Sequence, residues 1–340
     1  MRPEADEPPP EGAWTTPGVP GWTIDGSDDD PKPLADGTAL LRAELPDPRL
    51  VDTEYLRWWY RGSPAGRAWE RYHYVPGGAR PLLVAHYANV PRRYRGPDGT
   101  SCDGAWSLHA VTRTGHQRAR HFTRLGLEIY EEAAAAGASF VVGVTNDKST
   151  GAVVKYLGWR LVGPLPVRIV APLGRGGRRV EHIEVTDQWL TSSHFDDLAS
   201  TIDRQRLGGW STAWTPEVLR WRLACPHTRY WVHLADDVAV VSTRSGYGLL
   251  PATVVLKVFP LVTSAEPIDA TRTIRSITRR QRSLFAVYAG FNRSARVQGV
   301  RPPRRLQPSP LNLIVRSLDP DVDQDSIELD TFELLDMDAY

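Results

Sequence analysis

The sequence predicts an α/β protein of two units, each a mixed, mostly antiparallel sheet flanked by helices. Three observations carry that reading. A strand, a cationic turn opening a helix, a second strand and a Gly-Trp finish follow one another between Trp106 and Trp159. A short tryptophan motif near residue 56 recurs near residue 219, each time ahead of a strand. The chain's 340 residues, with 41% hydrophobic content, exceed what one core usually occupies and suffice to fill two.

Residues 1–46 read as a disordered acidic, proline-rich arm. Pro8–Pro10 and Asp28–Pro31 supply little to bury, so ordering entropy is not offset, although Trp14 and Trp22 can tuck against the body. A first domain, 47–175, opens with a helix from Asp52 through Tyr60, ended by Gly62 and Pro64. Trp69–Val75 and Leu82–Val90 flank Pro76-Gly77-Gly78 as a hairpin. Ala105–Val111 is the next strand. Gly126–Ala136, rich in Ala, Leu and Glu, forms a helix stopped by Gly137. Phe140–Asn146 is a buried strand, and Gly174–Gly177 a linker.

The second domain, 176–340, repeats part of this order. Leu56-Arg57-Trp58, with Pro64 shortly after and Trp69 opening a strand, is echoed by Leu219-Arg220-Trp221, with Pro226 shortly after and Tyr230–Leu234 as a strand. Pro251–Phe259 is a strand, Ile274 to Ala289 a helix, and Asn312–Val315 and Phe332–Asp338 are closing strands.

The turn at 115–122 is the chemically loaded feature. At a helix start the first amides lack intrahelical partners and the macrodipole is positive, so backbone donors converge on an anion. Gln117, Arg118, Arg120 and Arg124 add donors and charge, which suits a pyrophosphate. With Val111, Gln117, Phe122, Leu125, Asn146, Ser149, Gly158 and Trp159 at matching spacings, this stretch resembles the Gcn5-related N-acetyltransferase superfamily, in its tandem two-domain branch. The likeness covers about residues 50–170 and implies a splayed sheet of that type in each domain. Arg120 stands where the family has its first glycine, and its Cβ bears on how closely a pyrophosphate approaches the backbone.

The resemblance implies an acyl-CoA-dependent N-acyltransferase, with acetyl-CoA or another acyl-CoA as co-substrate and a primary amine of a small metabolite or amino sugar as acceptor. Val111, Gln117, Arg118, Arg120, Phe122, Thr123 and Asn146 are then the coenzyme-binding residues. Direct transfer needs a base for the ammonium and a polarised thioester oxygen. His109 and Asp103 are the candidate bases: relatives carry a Glu where this chain has Ala105, and alternation places Ala105, Ser107, His109 and Val111 on one face. Relatives also carry a Tyr acid where this chain has Val154, leaving water or the thiol's own acidity for the leaving group. The departures at Arg120, Ala105 and Val154 keep open a non-catalytic ligand- or partner-binding protein of the same fold. No donor turn is evident after residue 180.

Composition narrows the rest. A net charge of +1 gives no global pull towards nucleic acid or membrane, and Arg279–Arg282 reads as a solvated basic face. No span of membrane length is present, and Cys102 and Cys225 form no framework, so a cytoplasmic protein is expected. No His/Cys spacing suggests a metal, and Asp319–Asp325 lacks the glycine and closing Glu of a calcium loop. Expected partners are a small-molecule amine, no membrane, no specific nucleic acid, with a homodimer left open.

Overall fold

The structure, a computed structural model, describes residues 12–15, 20–26, 30–45, 47–78, 80–117, 120–174, 178–205, 208–247, 250–303 and 310–338. The first half contains β1 (Trp22–Asp25), α1 (Lys32–Glu44), α2 (Glu54–Arg61), β2 (Trp69–Val75), β3 (Leu82–Arg95), β4 (Ser101–Thr112), α3 (His121–Ala135), β5 (Phe140–Thr145), α4 (Asp147–Leu157), β6 (Arg160–Pro164) and β7 (Val167–Val170). The second contains β8 (Glu181–Glu184), α5 (Asp187–Leu190), α6 (Ser193–Asp203), β9 (Ser211–Thr212), α7 (Pro216–Leu223), β10 (Trp231–Leu234), β11 (Val238–Tyr247) and β12 (Leu250–Pro260). It continues with β13 (Ile268–Asp269), α8 (Thr271–Arg280), β14 (Phe285–Asn292), β15 (Ala295–Arg296), β16 (Asn312–Ser317) and β17 (Thr331–Glu333).

Two mixed, mostly antiparallel sheets result, with a third of only two parallel strands, β13 and β15. The first runs β1-β2-β3-β4-β5-β16-β6, with β9 beside β3. The second runs β17-β14-β12-β11-β10-β8, with β7 also on β14. Each has one parallel pair at its centre, β4 with β5 and β12 with β14.

Three expectations are corrected. In the arm expected to be disordered, 1–11, 16–19, 27–29 and 46 lie outside the described residues, but Trp22–Asp25 and Lys32–Glu44 are ordered: β1 pairs with β2, and α1 buries Leu34, Leu40 and Leu41. Each such side chain stabilises by roughly 1.5–3 kcal/mol, enough to order a helix whose polar flanks hide the pattern. Nor do the sheets divide at residue 175. β7 crosses to the second sheet, and β16 returns to lie between β5 and β6, covering an edge that would otherwise stay open. Finally, the helix expected from Ile274 to Ala289 ends at Arg280, and Phe285–Asn292 is a strand, as its alternating aromatic and small residues allow.

The sequence echo has a structural counterpart. Trp58 of α2 and Trp221 of α7 stack with ring centroids 4.7 Å apart. Each indole donates to the other's carbonyl, Trp58 Nε1 to Trp221 O at 3.1 Å and Trp221 Nε1 to Trp58 O at 3.2 Å. Reciprocal bonds of this kind are the mark of a pseudo-twofold contact. Gly62, the residue after α2, leaves room for this contact: a Cβ there would lie 2.7 Å from Trp58 O and 3.3 Å from Trp221 Nε1.

Candidate active site

β4 and β5 pair only from Ala105–Ser107 against Val141–Gly143, then part. Beyond the last pair lies a cavity of about 180 Å³, walled by Ser107–Ala110 on one side and Gly143–Asn146 on the other, with Tyr87, Phe122 and Leu45 closing it. β4 is bulged at this point: Leu108 faces Ala88 and Val111 faces His86, so His109 and Ala110 together oppose Tyr87. His109 takes a left-handed conformation, φ 53. The expected alternation therefore breaks after Ser107, and Val111 lies one residue beyond the cavity wall. Neither ladder gives His109 or Ala110 a one-to-one partner residue, and both line the cavity.

His109 is held in one tautomer by a buried chain. His86 Nδ1 lies 3.0 Å from the Arg71 carbonyl and so carries the proton; its Nε2 accepts from the Tyr60 hydroxyl at 2.8 Å. That spends the only proton of Tyr60, whose oxygen then accepts from His109 Nδ1 at 2.7 Å. His109 Nε2 is left with a lone pair, 3.8 Å from a carboxylate oxygen of Asp338. Burial pushes both imidazoles down to about 3, so both stay neutral near pH 7. Burial also raises the Asp338 carboxyl, with Arg49 pulling it back.

Asp338 was not legible from sequence, since 229 positions separate it from His109. It arrives on a strap whose consecutive carbonyls are gripped by buried cations. Arg222 donates to Leu335 O and Met337 O at 3.1 and 2.7 Å, Arg92 to Asp336 O, and Arg49 to Asp338 O. The other candidate base, Asp103, lies at the far end of β4, 70% exposed and 3.7 Å from Arg93. His109 and Asp103 are thus not brought together.

At the donor turn, the first intrahelical bond of α3 runs from Arg124 N to Arg120 O, so the amides of His121, Phe122 and Thr123 precede it. Arg120 caps the helix in the left-handed region, φ 56. The glycine-type conformation is present without the glycine, at a cost of about 1–2 kcal/mol. Gln117 and Arg120 are exposed, Thr123 is half-buried, and Phe122 stacks on Tyr87 at 5.7 Å against the cavity. Arg118 lies outside the described residues. Arg124 turns away, its Nη2 meeting Thr23 Oγ1 at 2.8 Å and His73 Nδ1 at 2.6 Å. Asn146 lines the cavity but caps α4, its Oδ1 accepting from the amides of Lys148 and Ser149 at 3.0 Å. Its amide nitrogen is what remains for a ligand.

Two further contributors escaped sequence reasoning. Glu44, at the end of α1, accepts from Thr114 N and Oγ1 at 2.9 and 2.8 Å, fixing the loop before the donor turn. Ser107 ends a chain in which Trp159 Nε1 donates to Tyr130, Tyr130 meets Tyr87 at 2.6 Å, and Tyr87 meets Ser107 Oγ at 2.7 Å. A hydroxyl is thereby presented at the cavity wall.

No family model and no curated protein matches the chain. Solved structures do. A probable N-acyltransferase of Enterococcus faecalis matches with TM-score 0.58 at 9% identity, covering 87% of this chain and 72% of that one. A Gcn5-related N-acetyltransferase of Anabaena variabilis matches with TM-score 0.58 at 11% identity, with coverages of 87% and 72%. One from Kribbella flavida gives 0.53 at 14%, with 87% and 71%. The chain therefore shares its fold with these N-acyltransferase structures.

Proposed function

We propose that the first unit transfers an acyl group, acetyl in the simplest case, from coenzyme A directly to a primary amine of a small metabolite or amino sugar. The observation that carries this is the open gap between β4 and β5, with a donor turn at one side and Asp338 beside His109 at the other. The free amides of α3 and the Arg120 guanidinium suit a diphosphate, and the gap suits a pantetheine arm running between strand edges.

The acceptor enters as an ammonium ion. Its proton passes to the Asp338 carboxylate, whose raised affinity suits it to that task, while His109 Nε2 accepts a second N–H and orients the lone pair. Nitrogen attacks the thioester carbon, a C–N bond forms, and the oxygen's developing charge meets the bulge amides. The C–S bond then breaks, and the second proton shed by the nitrogen is relayed through water or the Ser107 hydroxyl to the departing thiolate, which leaves as the thiol.

Acetyl-CoA should raise the melting temperature, by linkage to the folded state. Asp338→Asn should keep that rise yet lower kcat by about 10²–10⁴-fold, followed by mass of the acetylated product. A protein indifferent to millimolar acetyl-CoA is instead a binding module on the same scaffold.

A further inference from the structure

We propose that the end of the second sheet where β12 and β14 begin is a docking surface for an anionic lipid membrane. Those strands are parallel, so their starts lie together, and Leu284 N donates to Pro251 O at 2.9 Å. β11, antiparallel to β12, brings Arg244 to this end. β7, antiparallel to β14, leaves the sheet here and carries Leu173 outward. The last turn of α8 delivers Arg279 and Arg280, and the turn into β14 carries Arg282.

The composition of this end is unusual in two respects. Leu173, Leu284 and Leu250 are 73%, 55% and 49% exposed, and Arg244, Arg279, Arg280 and Arg282 are exposed among them. Arg279 also grips the carbonyls on either side of Leu173, Pro172 O at 2.8 Å and Gly174 O at 2.7 Å, so the leucine is held out rather than left loose. The elements that meet at this end, β7, β11, β12, α8 and β14, contain no Asp or Glu, while β8, separated from β12 by β11 and β10, ends towards it at Glu184, level with Ser242 of β11. The near-zero net charge of the chain therefore averages over charges that the fold segregates.

Two kinds of polyanion surface fit arginines, but only one fits the leucines as well. A nucleic acid would neutralise the guanidinium groups and leave three large apolar side chains in water. A bilayer interface accepts both, phosphates for the arginines and the acyl boundary for the leucines. No helix among the described residues is long and apolar enough to cross a membrane, so the contact is peripheral.

The test uses the full chain and vesicles of phosphatidylcholine, alone or mixed with phosphatidylglycerol. Sedimentation with the anionic vesicles only, weakening as salt rises, is expected. Arg280→Gln with Arg282→Gln should reduce partitioning by about fivefold per charge removed. Leu173→Ser with Leu284→Ser, which leaves charge untouched, should also release the protein, with thermal melts checking that each variant folds. Equal binding to both vesicle types, or none at low salt, overturns the proposal. So does retention of duplex DNA with the leucine pair indifferent, which would make this a nucleic-acid face.

Discussion

Both units carry a parallel strand pair that parts midway, and they treat the gap in opposite ways. In the first, β4 and β5 part after Ser107 and Gly143 and leave the cavity of about 180 Å³. In the second, β12 and β14 part after Val255 and Tyr288, and the chain's own strap enters. Thr331–Glu333 pair with β14 at Gly290–Asn292, while Lys257 of β12 meets Glu333 at 3.2 Å and Asp336 at 2.6 Å. The echo differs in the same sense: Trp59 and Tyr60 of α2 correspond to Arg222 and Leu223 of α7. Tyr60 holds the histidine chain, whereas Arg222 grips the strap. The gap thus belongs to the scaffold, and what occupies it decides whether it can hold a substrate. The filled gap also serves the open one, because the plug runs on directly into Asp338.

The largest effect expected is on acid stability, and it separates the units. His86 and His109 in the first and His233 in the second are each lowered by burial from 6.5 to about 3. Below pH 6.5 the unfolded chain binds a proton at each site and the folded chain does not. Stability is therefore complete above that pH and falls as pH drops towards 3, by about 1.4 kcal/mol per pH unit per histidine. Melting followed from pH 7 to 4 should fall steeply, and His233→Gln should relieve only the second unit's share. A flat profile would contradict the neutral assignment on which the His109 tautomer rests.

A smaller effect probes the plug itself. Lys257→Met leaves Glu333 and Asp336 buried without their cation, at a cost of about 3–5 kcal/mol. Adding Asp336→Asn should recover part of the loss in a denaturant titration. Acyl transfer should fall in the single variant, since the strap that carries Asp338 loses its anchor; unchanged activity would uncouple the two gaps.

Sequence reasoning reached what local chemistry determines. The turn ahead of α3, the strand ending at Asn146 and the echoed tryptophans all rest on short-range patterns. It missed what depends on contacts between distant segments. Leu40 and Leu41 show their value only once a sheet lies beneath them, β16 reads like any closing strand until it pairs with β5, and nothing near Asp338 marks it as the partner of His109. The bulge at His109 was hidden for another reason: alternation fits the residues on either side of it, and only the register against β3 exposes the extra residue.

The smallest effect concerns Arg120. Its left-handed conformation costs about 1–2 kcal/mol, and a glycine would lose roughly 0.5–1 kcal/mol more chain entropy on folding. Arg120→Gly should therefore stabilise the protein slightly, by about 0.5–1 kcal/mol, and the melting-temperature rise with acetyl-CoA should persist because the amides of His121 to Thr123 are unchanged. A variant that gains stability but no longer responds to the coenzyme would assign the diphosphate to the guanidinium rather than the backbone. A variant that loses stability would show that the arginine is held in place by contacts worth more than its strain.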